Sequence, residues 1–487
     1  MKDNKRLKRR VRNSYIVSTV SMALVLFLLG SVGYLMTAAL RVARTLQESV
    51  TVTVELADGV DSLRRGEIER RLRGDEMVRD IEFVSKQTKI GDAEFRHMFE
   101  NEIEEVLGEN PLNVEKLFER VRQFGGHSRQ GGGVSGVEVA LYDIIGKFYG
   151  VPVYQLLGGK WRDEVRIYCD TDVDGKHTGT DMGNALKKRM EQGFTFLKMD
   201  LGIELLYDEP GTLNAPVGLI EDFKKYNMKA ICHQSGSIDK SLMFGKNYQI
   251  FTIPHYATGI HITEKGLDYL ENYVKQVRDV IGYEVPLAID HFGHVAIEDA
   301  IRFARRLEKY NIAWMEDLTP WQKTEHLKKF AQNSCVPLCT GEDIYLAENF
   351  EKVMQAGVNV VHPDLLTVGG FGEMKKVGAL CEKYGVAAAI HMAESPIAFM
   401  AAVHSAAAMK NVLAVEFHSV DHPEWFDLVN PKIRLKNGFM QVPDAPGLGI
   451  ESLNEEFVEK FRKADCEKPW SDTSAWDKEW SNDREWS

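Results

Sequence analysis

The sequence predicts an α/β protein built on a (β/α)8 TIM barrel. Three observations carry that prediction. Eight short apolar runs alternate with amphipathic stretches between Val165 and Phe417. Several of the stretches between them repeat their apolar residues at helical spacing. Three of the runs end in an acidic residue, Asp290, Glu316 and Glu342, at intervals of 26 and 26 residues. One βα unit of a barrel takes about that many residues.

The chain opens on a basic leader. Residues 1–12, MKDNKRLKRRVR, carry seven Lys/Arg and one Asp. No charged residue occurs from Asn13 to Leu40. The centre of that stretch, SMALVLFLLGSVGYLM, is apolar and long enough to span a bilayer as a helix. The leader should stay cytoplasmic. The apolar region exceeds a usual signal-peptide core and no clear A-x-A site follows, so an uncleaved transmembrane helix over 13–40 is expected. TVTVEL (51–56), a charged helical stretch (60–73) and VRDIEFVSK (78–86) then read as strand–helix–strand. With NSYIVSTVSMALVLFLLGSVGYL, QESVTVTVEL and IEFVSK, residues 1–86 resemble the start of the FtsX-type cell-division permease. The resemblance implies a cell-membrane location and makes 41–86 an extracytoplasmic fragment. No later apolar run is long enough to supply a further membrane helix.

Residues 87–160 precede the barrel. Their helix, 135–148, is expected to start with a capping box of Ser135 as N-cap and Glu138 at N3. The glycines at 131–133 lack a following Lys-Ser/Thr and read as a flexible turn rather than a phosphate loop. The barrel follows over 161–424. Its strands are VRIYC (165–169), FLKMD (196–200), PLAID (286–290), IAWME (312–316), VPLCTG (336–341), VNVVH (358–362), VAAAIH (386–391) and VLAVEF (412–417). IRFARRLEKY (301–310), AENFEKVMQAG (347–357) and GEMKKVGALCEKYG (372–385) are the clearest helices between them. The second-to-third strand connection is about twice the length a single unit needs, so 204–262 reads as an insertion at the C-terminal face, a candidate lid. Residues 425–487 form a C-terminal cap segment and a polar tail, the tail from 466 loosely ordered.

Parallel strands joined by right-handed crossovers present all their C-terminal ends on one face. Asp290, Glu316 and Glu342 then emerge side by side from the third, fourth and fifth strands. Three adjacent buried carboxylates need a cation to stay ionised, and hard oxygen ligands suit Mg2+. Lys198 and Asp200 end the second strand, Asp364 follows the sixth, His391 ends the seventh, and Glu416 ends the eighth. An aspartate beside a histidine can fix the imidazole tautomer and raise its basicity, so Asp364 and His391 form a candidate general-base pair.

These residues carry a second resemblance. SGVEVALYDIIGKFYGVPVYQLLGG (135–159), the Asp290/Glu316/Glu342 ladder, HPDLLTVGGFGE (362–373), IHMAESPI (390–397) and VPDAPGLGIE (442–451) are similar to the mandelate racemase/muconate lactonizing subgroup of the enolase superfamily. The resemblance implies a truncated enolase-type α+β cap over 87–160 and Mg2+ on Asp290, Glu316 and Glu342. It also implies removal, by His391 with Asp364, of the proton α to a substrate carboxylate, with Lys198 and Glu416 near that carboxylate. Relatives with a K-x-K second strand use its second lysine as another base; here that position is Asp200. A single base suits a sugar-acid dehydratase, a lyase that removes the β-hydroxyl. The alternatives are a racemase or epimerase of the same superfamily, or a membrane-anchored division protein with an inactive barrel. Similar dehydratases often carry an acid histidine two residues beyond the first metal ligand. That position is Phe292, flanked by His291 and His294, and His294 is the preferred candidate acid. Asp200, His291 and Glu394 are further candidate substrate contacts beside Lys198. His233 and His255, in the insertion, read as loop residues.

Net charge is −12, which argues against a nucleic-acid surface over the whole protein. The six cysteines are scattered, and Cys335 and Cys339 read as buried free thiols. The expected partners are a small sugar acid, the membrane through 13–40, and further copies of the chain in a homo-oligomer. Family resemblance expects the enzyme part in the cytoplasm, whereas a cytoplasmic leader and one span would send it across the membrane. The chain therefore reads as parts of two unrelated proteins joined near Lys86.

Overall fold

The computed structural model describes residues 106, 108–124, 132–173, 177–221, 259–290 and 295–461. The chain divides into two units, Met1–Ala93 and Glu94–Ser487, and the described residues all belong to the second. The basic leader, the apolar stretch 13–40, the permease-like segment and the polar tail from 466 lie outside the described residues. So do His233, His255, His291 and His294. Among the described residues no helix is long and apolar enough to cross a membrane.

Eight parallel strands form the barrel: β1 Glu164–Tyr168, β2 Leu197–Asp200, β3 Leu287–Asp290, β4 Ile312–Glu316, β5 Leu338–Thr340, β6 Val360–Val361, β7 Ala387–Ile390 and β8 Val412–Glu416. Parallel ladders run from β2 through β8 in chain order, and β8 then pairs with β1, Ile167 opposite Val415. The sheet is mixed because the short strand Phe439–Gln441 adds antiparallel to β1, with Val165 opposite Met440.

Besides the short Leu365–Val368 and Glu455–Phe461, the described α-helices are α1 Val114–Val121, α2 Gly132–Tyr149, the short α3 Val153–Leu156, α4 Gly179–Glu191, α5 Glu264–Ile281, α6 Ile297–Leu307, α7 Thr324–Asn333, α8 Ala347–Ala356, α9 Phe371–Tyr384 and α10 Pro396–Ala408. Helices α4 to α10 each follow one strand. The expected eighth helix is missing. After β8 the chain makes two 3-10 turns, His418–Asp421 and Pro423–Asp427, and no α-helix intervenes before the short strands beside β1. Among the described residues the barrel is thus eight strands with seven helices following them. Pro423 and the acidic and aromatic residues around it give no helical apolar face to lay on the barrel.

The insertion after β2 is tied at its base. Leu213–Asn214 and His261–Ile262 pair antiparallel, and Thr263 donates its amide to Thr212 O at 3.0 Å. The Thr263 hydroxyl then accepts from Gly266 N and caps α5.

Helix α2 corrects the capping-box expectation. It begins at Gly132, so it takes in two of the three glycines and leaves Ser135 inside the helix. Glu138 is buried and caps a different helix. Its two carboxylate oxygens accept from Phe371 N and Gly372 N at 2.8 Å each, at the start of α9. Gly370 lets it approach, since a Cβ there would fall 2.1 Å from Glu138 Oε2. Residues Asp444–Leu448 dock on the same region: Tyr154 donates to Asp444 Oδ1 at 2.7 Å, and Leu448 N to Asp143 Oδ1 at 2.8 Å. Cys335 is exposed and Cys339 buried, so only the second matches the expected buried thiol.

One apolar cluster positions the site. Tyr168, Phe196, Ala288, Trp314, Cys339, Val360, Ala389 and Ala414 pack together, one residue from each strand or its edge. They fill the barrel interior; Phe196 and Trp314 stack at 4.8 Å between centroids. Side chains two residues further along a strand point to the same side. The next layer up is therefore Asp170, Lys198, Asp290, Glu316, Gly341, His362, His391 and Glu416. A dry apolar floor lies directly beneath a layer of ionisable groups.

Candidate active site

Lys198 sits at the centre of that layer, fully buried. Its Nζ is 2.7 Å from Asp290 Oδ2, 3.0 Å from Glu316 Oε1 and 3.0 Å from Glu416 Oε1. Burial alone would lower its pKa, but the three carboxylates raise it well above the ordinary lysine value. It is held as an ammonium ion. Trp314 fixes the other oxygen of Glu316, donating Nε1–H to Oε2 at 2.7 Å.

His362 lies beside two of the same carboxylates. Its Nδ1 donates to Ala389 O at 2.8 Å, while Nε2 lies 3.2 Å from Glu316 Oε1 and 3.1 Å from Glu416 Oε2. Burial works against the charge, and the two glutamates outweigh it and raise the pKa. Glu416 is correspondingly held well below the usual carboxylate range. Burial opposes this; Lys198, His418 and His362 overcome it. Glu316 moves the other way, raised by burial and by the charge on Asp290.

Oxygens of Asp290, Glu316 and Asp317 lie within 4.8 Å of one another. Asp317 has a positive φ of 47° and receives the Thr340 hydroxyl at 2.7 Å. Burial, and then repulsion from Glu342, Glu316 and Asp290, raise its pKa well above the ordinary value. Glu342 stands outside this trio, with Oε2 3.4 Å from His391 Nε2. The reason is local. On β5 the inward position above Cys339 is Gly341, with φ 146°, where a Cβ would lie 2.9 Å from His362 N. Glu342 therefore leaves the strand one residue later than its counterparts. The described cluster is a hard-oxygen donor set with a lysine ammonium lodged between two of its members, which fits a divalent cation such as Mg2+.

His391 Nδ1 donates to Asp364 Oδ2 at 2.7 Å. The other oxygen of Asp364 accepts from Leu366 N at 2.7 Å and Thr367 N at 3.0 Å, which fixes the carboxylate. Nε2 of His391 is thereby the atom presented to the site. Burial would weaken this base, but Glu342 and Asp364 raise its pKa well above the ordinary histidine value. Glu394 stands beside the pair, its carboxyl pushed up to about 8 by burial and then by the charge of Asp364. Asp200 is grouped with Asp170 and Asp290, and its approach helps burial raise the pKa of Asp170.

Four further residues, not marked by the strand-end pattern, stand at the site: Asp170, Asp317, His362 and His418. His418 Nε2 lies 3.2 Å from Glu416 Oε1, and its ring centroid 6.0 Å from that of His391. The two-residue strand period, stepped from the apolar floor, reaches Asp170 and His362; a further step from Glu416 reaches His418.

The model of the "Enolase C-terminal domain-like" family matches residues 181–456, more than half of the chain. The chain belongs to this family. A D-xylonate dehydratase of Haloferax volcanii is 30% identical over 361 residues, covering 73% of this chain and 76% of that protein. A D-galactonate dehydratase of Verminephrobacter eiseniae is 30% identical over 373 residues, covering 74% and 82%. The crystal structure of a mandelate racemase/muconate lactonizing enzyme-like protein from Rubrobacter xylanophilus superposes with a TM-score of 0.61. It is 28% identical and covers 76% of this chain and 88% of its own. Relatives of this enolase-superfamily chain are thus dehydratases, which are lyases.

Proposed function

We propose that this enolase-family chain is a Mg2+-dependent sugar-acid dehydratase. It would remove the proton α to a carboxylate, pass through an enediolate, and expel the β-hydroxyl as water to give a 2-keto-3-deoxy acid. The observation that carries the reading is the Asp364–His391 pair, closed at 2.7 Å beside the carboxylate cluster. Asp364 holds the imidazole in one tautomer, so Nε2 can take the α-proton.

An α-proton next to a carboxylate is very weakly acidic, and its removal places a second negative charge on the carboxylate oxygens. Lys198 is a fixed positive group and His362 a buried imidazole beside it, in a site with an apolar floor where charge is stabilised more strongly than in bulk solvent. Asp290 and Glu316 would hold the Mg2+ with Glu342, which would turn from His391 to join them, and Asp317 completes the oxygen trio beside them. Bound there, the metal supplies positive charge to the substrate carboxylate. Asp200 stands where a second base would be needed for racemisation, and an aspartate grouped with Asp170 and Asp290 is poorly suited to that role.

The relatives named for D-xylonate and D-galactonate favour pentonic and hexonic acids as the substrate class. The test is a screen of the full chain with Mg2+ against such acids, read as 2-keto-3-deoxy product. Product from at least one acid supports the reading. Interconversion of epimers without product would favour a racemase or epimerase.

The uncharged stretch 13–40 supports a membrane anchor as a second property of the chain. Fractionation of cells expressing the full chain tests it. Recovery in the membrane pellet, resistant to high salt, is expected; recovery in the supernatant would remove the anchor.

A further inference from the structure

We propose that His418 delivers the proton to the departing β-hydroxyl, on the face of the substrate from which His391 takes the α-proton. The inference deepens the dehydratase reading and rests on it.

Three features converge on His418. The first is position. Glu416 ends β8 inside the site, and His418 opens the 3-10 turn just beyond it with Nε2 3.2 Å from Glu416 Oε1. Phe417 is fixed outward, stacked on Phe399 at 4.0 Å and on Phe426 at 5.4 Å between centroids. Its amide donates to Tyr168 O at 2.8 Å. The second is anchorage. The turn His418–Asp421 is held at its far end by Arg189, a buried residue of α4, whose Nη1 is 2.7 Å from Asp421 Oδ1. The histidine therefore stands on a fixed turn.

The third is its placement against the base. The His418 side chain is 37% exposed, so it sits at the open side of the site where a substrate can reach it. One ring nitrogen of His391, one of His418 and an oxygen of Glu416 all lie within 4.8 Å of one another. An acid and a base must each come within about 2.6–3.2 Å of the atoms they serve. Two nitrogens this close can serve neighbouring carbons from one face. Groups on opposite faces would have the substrate between them and stand further apart.

Asp364 receives Nδ1–H of His391, whose Nε2 faces the site 3.4 Å from Glu342 Oε2, and Nε2 of His418 lies 3.2 Å from Glu416 Oε1. In the step, His391 Nε2 takes the α-proton as the Cα–H bond breaks, and the electron pair enters the carboxylate. The pair then returns to form Cα=Cβ while Cβ–O breaks. The hydroxyl leaves with the His418 proton as water, and the enol becomes the 2-keto acid. His391 has gained a proton and His418 has lost one; exchange with solvent restores both. No oxidant or reductant is needed.

The test uses the full chain with Mg2+ in D2O, with D-xylonate and D-galactonate in parallel, followed by proton NMR. Wild type is compared with His418→Gln and His418→Asn. Two rates are read: exchange of the α-proton for deuterium, and formation of 2-keto-3-deoxy product. The expected result is at least about a 100-fold loss of dehydration with α-exchange retained, since His391 is untouched. Retained exchange also shows that the variants are folded. Dehydration within a few-fold of wild type would overturn the inference and leave the dehydratase reading standing. Equal loss of exchange and dehydration would overturn it too, making His418 a residue that only orders Glu416. A wild-type chain that exchanges the α-proton but forms no product would overturn the dehydratase reading and the inference with it.

Discussion

Lys198 Nζ lies 2.7 Å from Asp290 Oδ2, across two adjacent parallel strands, with both side chains buried. The same ammonium serves Glu316 and Glu416, each at 3.0 Å. One lysine therefore balances much of the negative charge on the barrel's upper layer.

Replacing it with Lys198→Met should leave three carboxylates without their shared partner. Removing one member of a buried ion pair typically costs about 3–5 kcal/mol. Urea denaturation without added metal should show a loss of that order. Added Mg2+ should recover part of it, because the metal would occupy the same carboxylates. An unchanged midpoint for Lys198→Met would refute this account of the lysine.

His391→Asn should remove both α-proton exchange and dehydration, by a factor of at least about 100. Glu316→Gln should weaken Mg2+ binding, measured by calorimetry, as well as turnover. Asp364→Asn should lower the dehydration rate while sparing Mg2+ binding, because Asp364 orients the base and lies outside the trio Asp290, Glu316 and Asp317. A His391→Asn chain that still exchanges the α-proton would assign the base elsewhere.

His404 gives a prediction about acid stability. It is buried in α10, accepts from Tyr154 N at 3.3 Å, and has its pKa lowered by burial from 6.5 to about 4. The unfolded chain therefore takes up this proton first as pH falls. The stabilisation is fully present above about pH 6.5 and is lost as pH drops toward 4. Between pH 7 and 5 the loss amounts to about 2 kcal/mol. His404→Gln should flatten the pH dependence of the urea midpoint over that range. A variant that follows the wild-type profile would show that His404 does not set it.

Much of this was legible in the chain. The eight strands stand where the apolar runs predicted them, because buried parallel strands are continuous hydrophobic runs bounded by turns. What escaped depends on distant partners. Glu138 caps α9, 233 residues away, and no local pattern distinguishes that from a capping box at its own helix. The missing eighth helix follows from a short, proline-interrupted segment that the repeat count alone filled in. At the site, the equal spacing of Asp290, Glu316 and Glu342 gives no sign that Asp317 joins the oxygens of Asp290 and Glu316. His362 and His418 were visible in principle. Both lie an even number of residues past an apolar floor residue, Val360 and Ala414, just beyond the ends of those strands.

The most direct test of the central claim is a proton NMR time course of the full chain with D-xylonate in D2O, with Mg2+ and then with excess EDTA. With Mg2+, a 2-keto-3-deoxy acid should accumulate and the remaining substrate should carry deuterium at the α-carbon; both should stop with EDTA and in His391→Asn. Product formed equally with and without metal, or in the absence of His391, would contradict α-proton removal by His391 at a metal-dependent site.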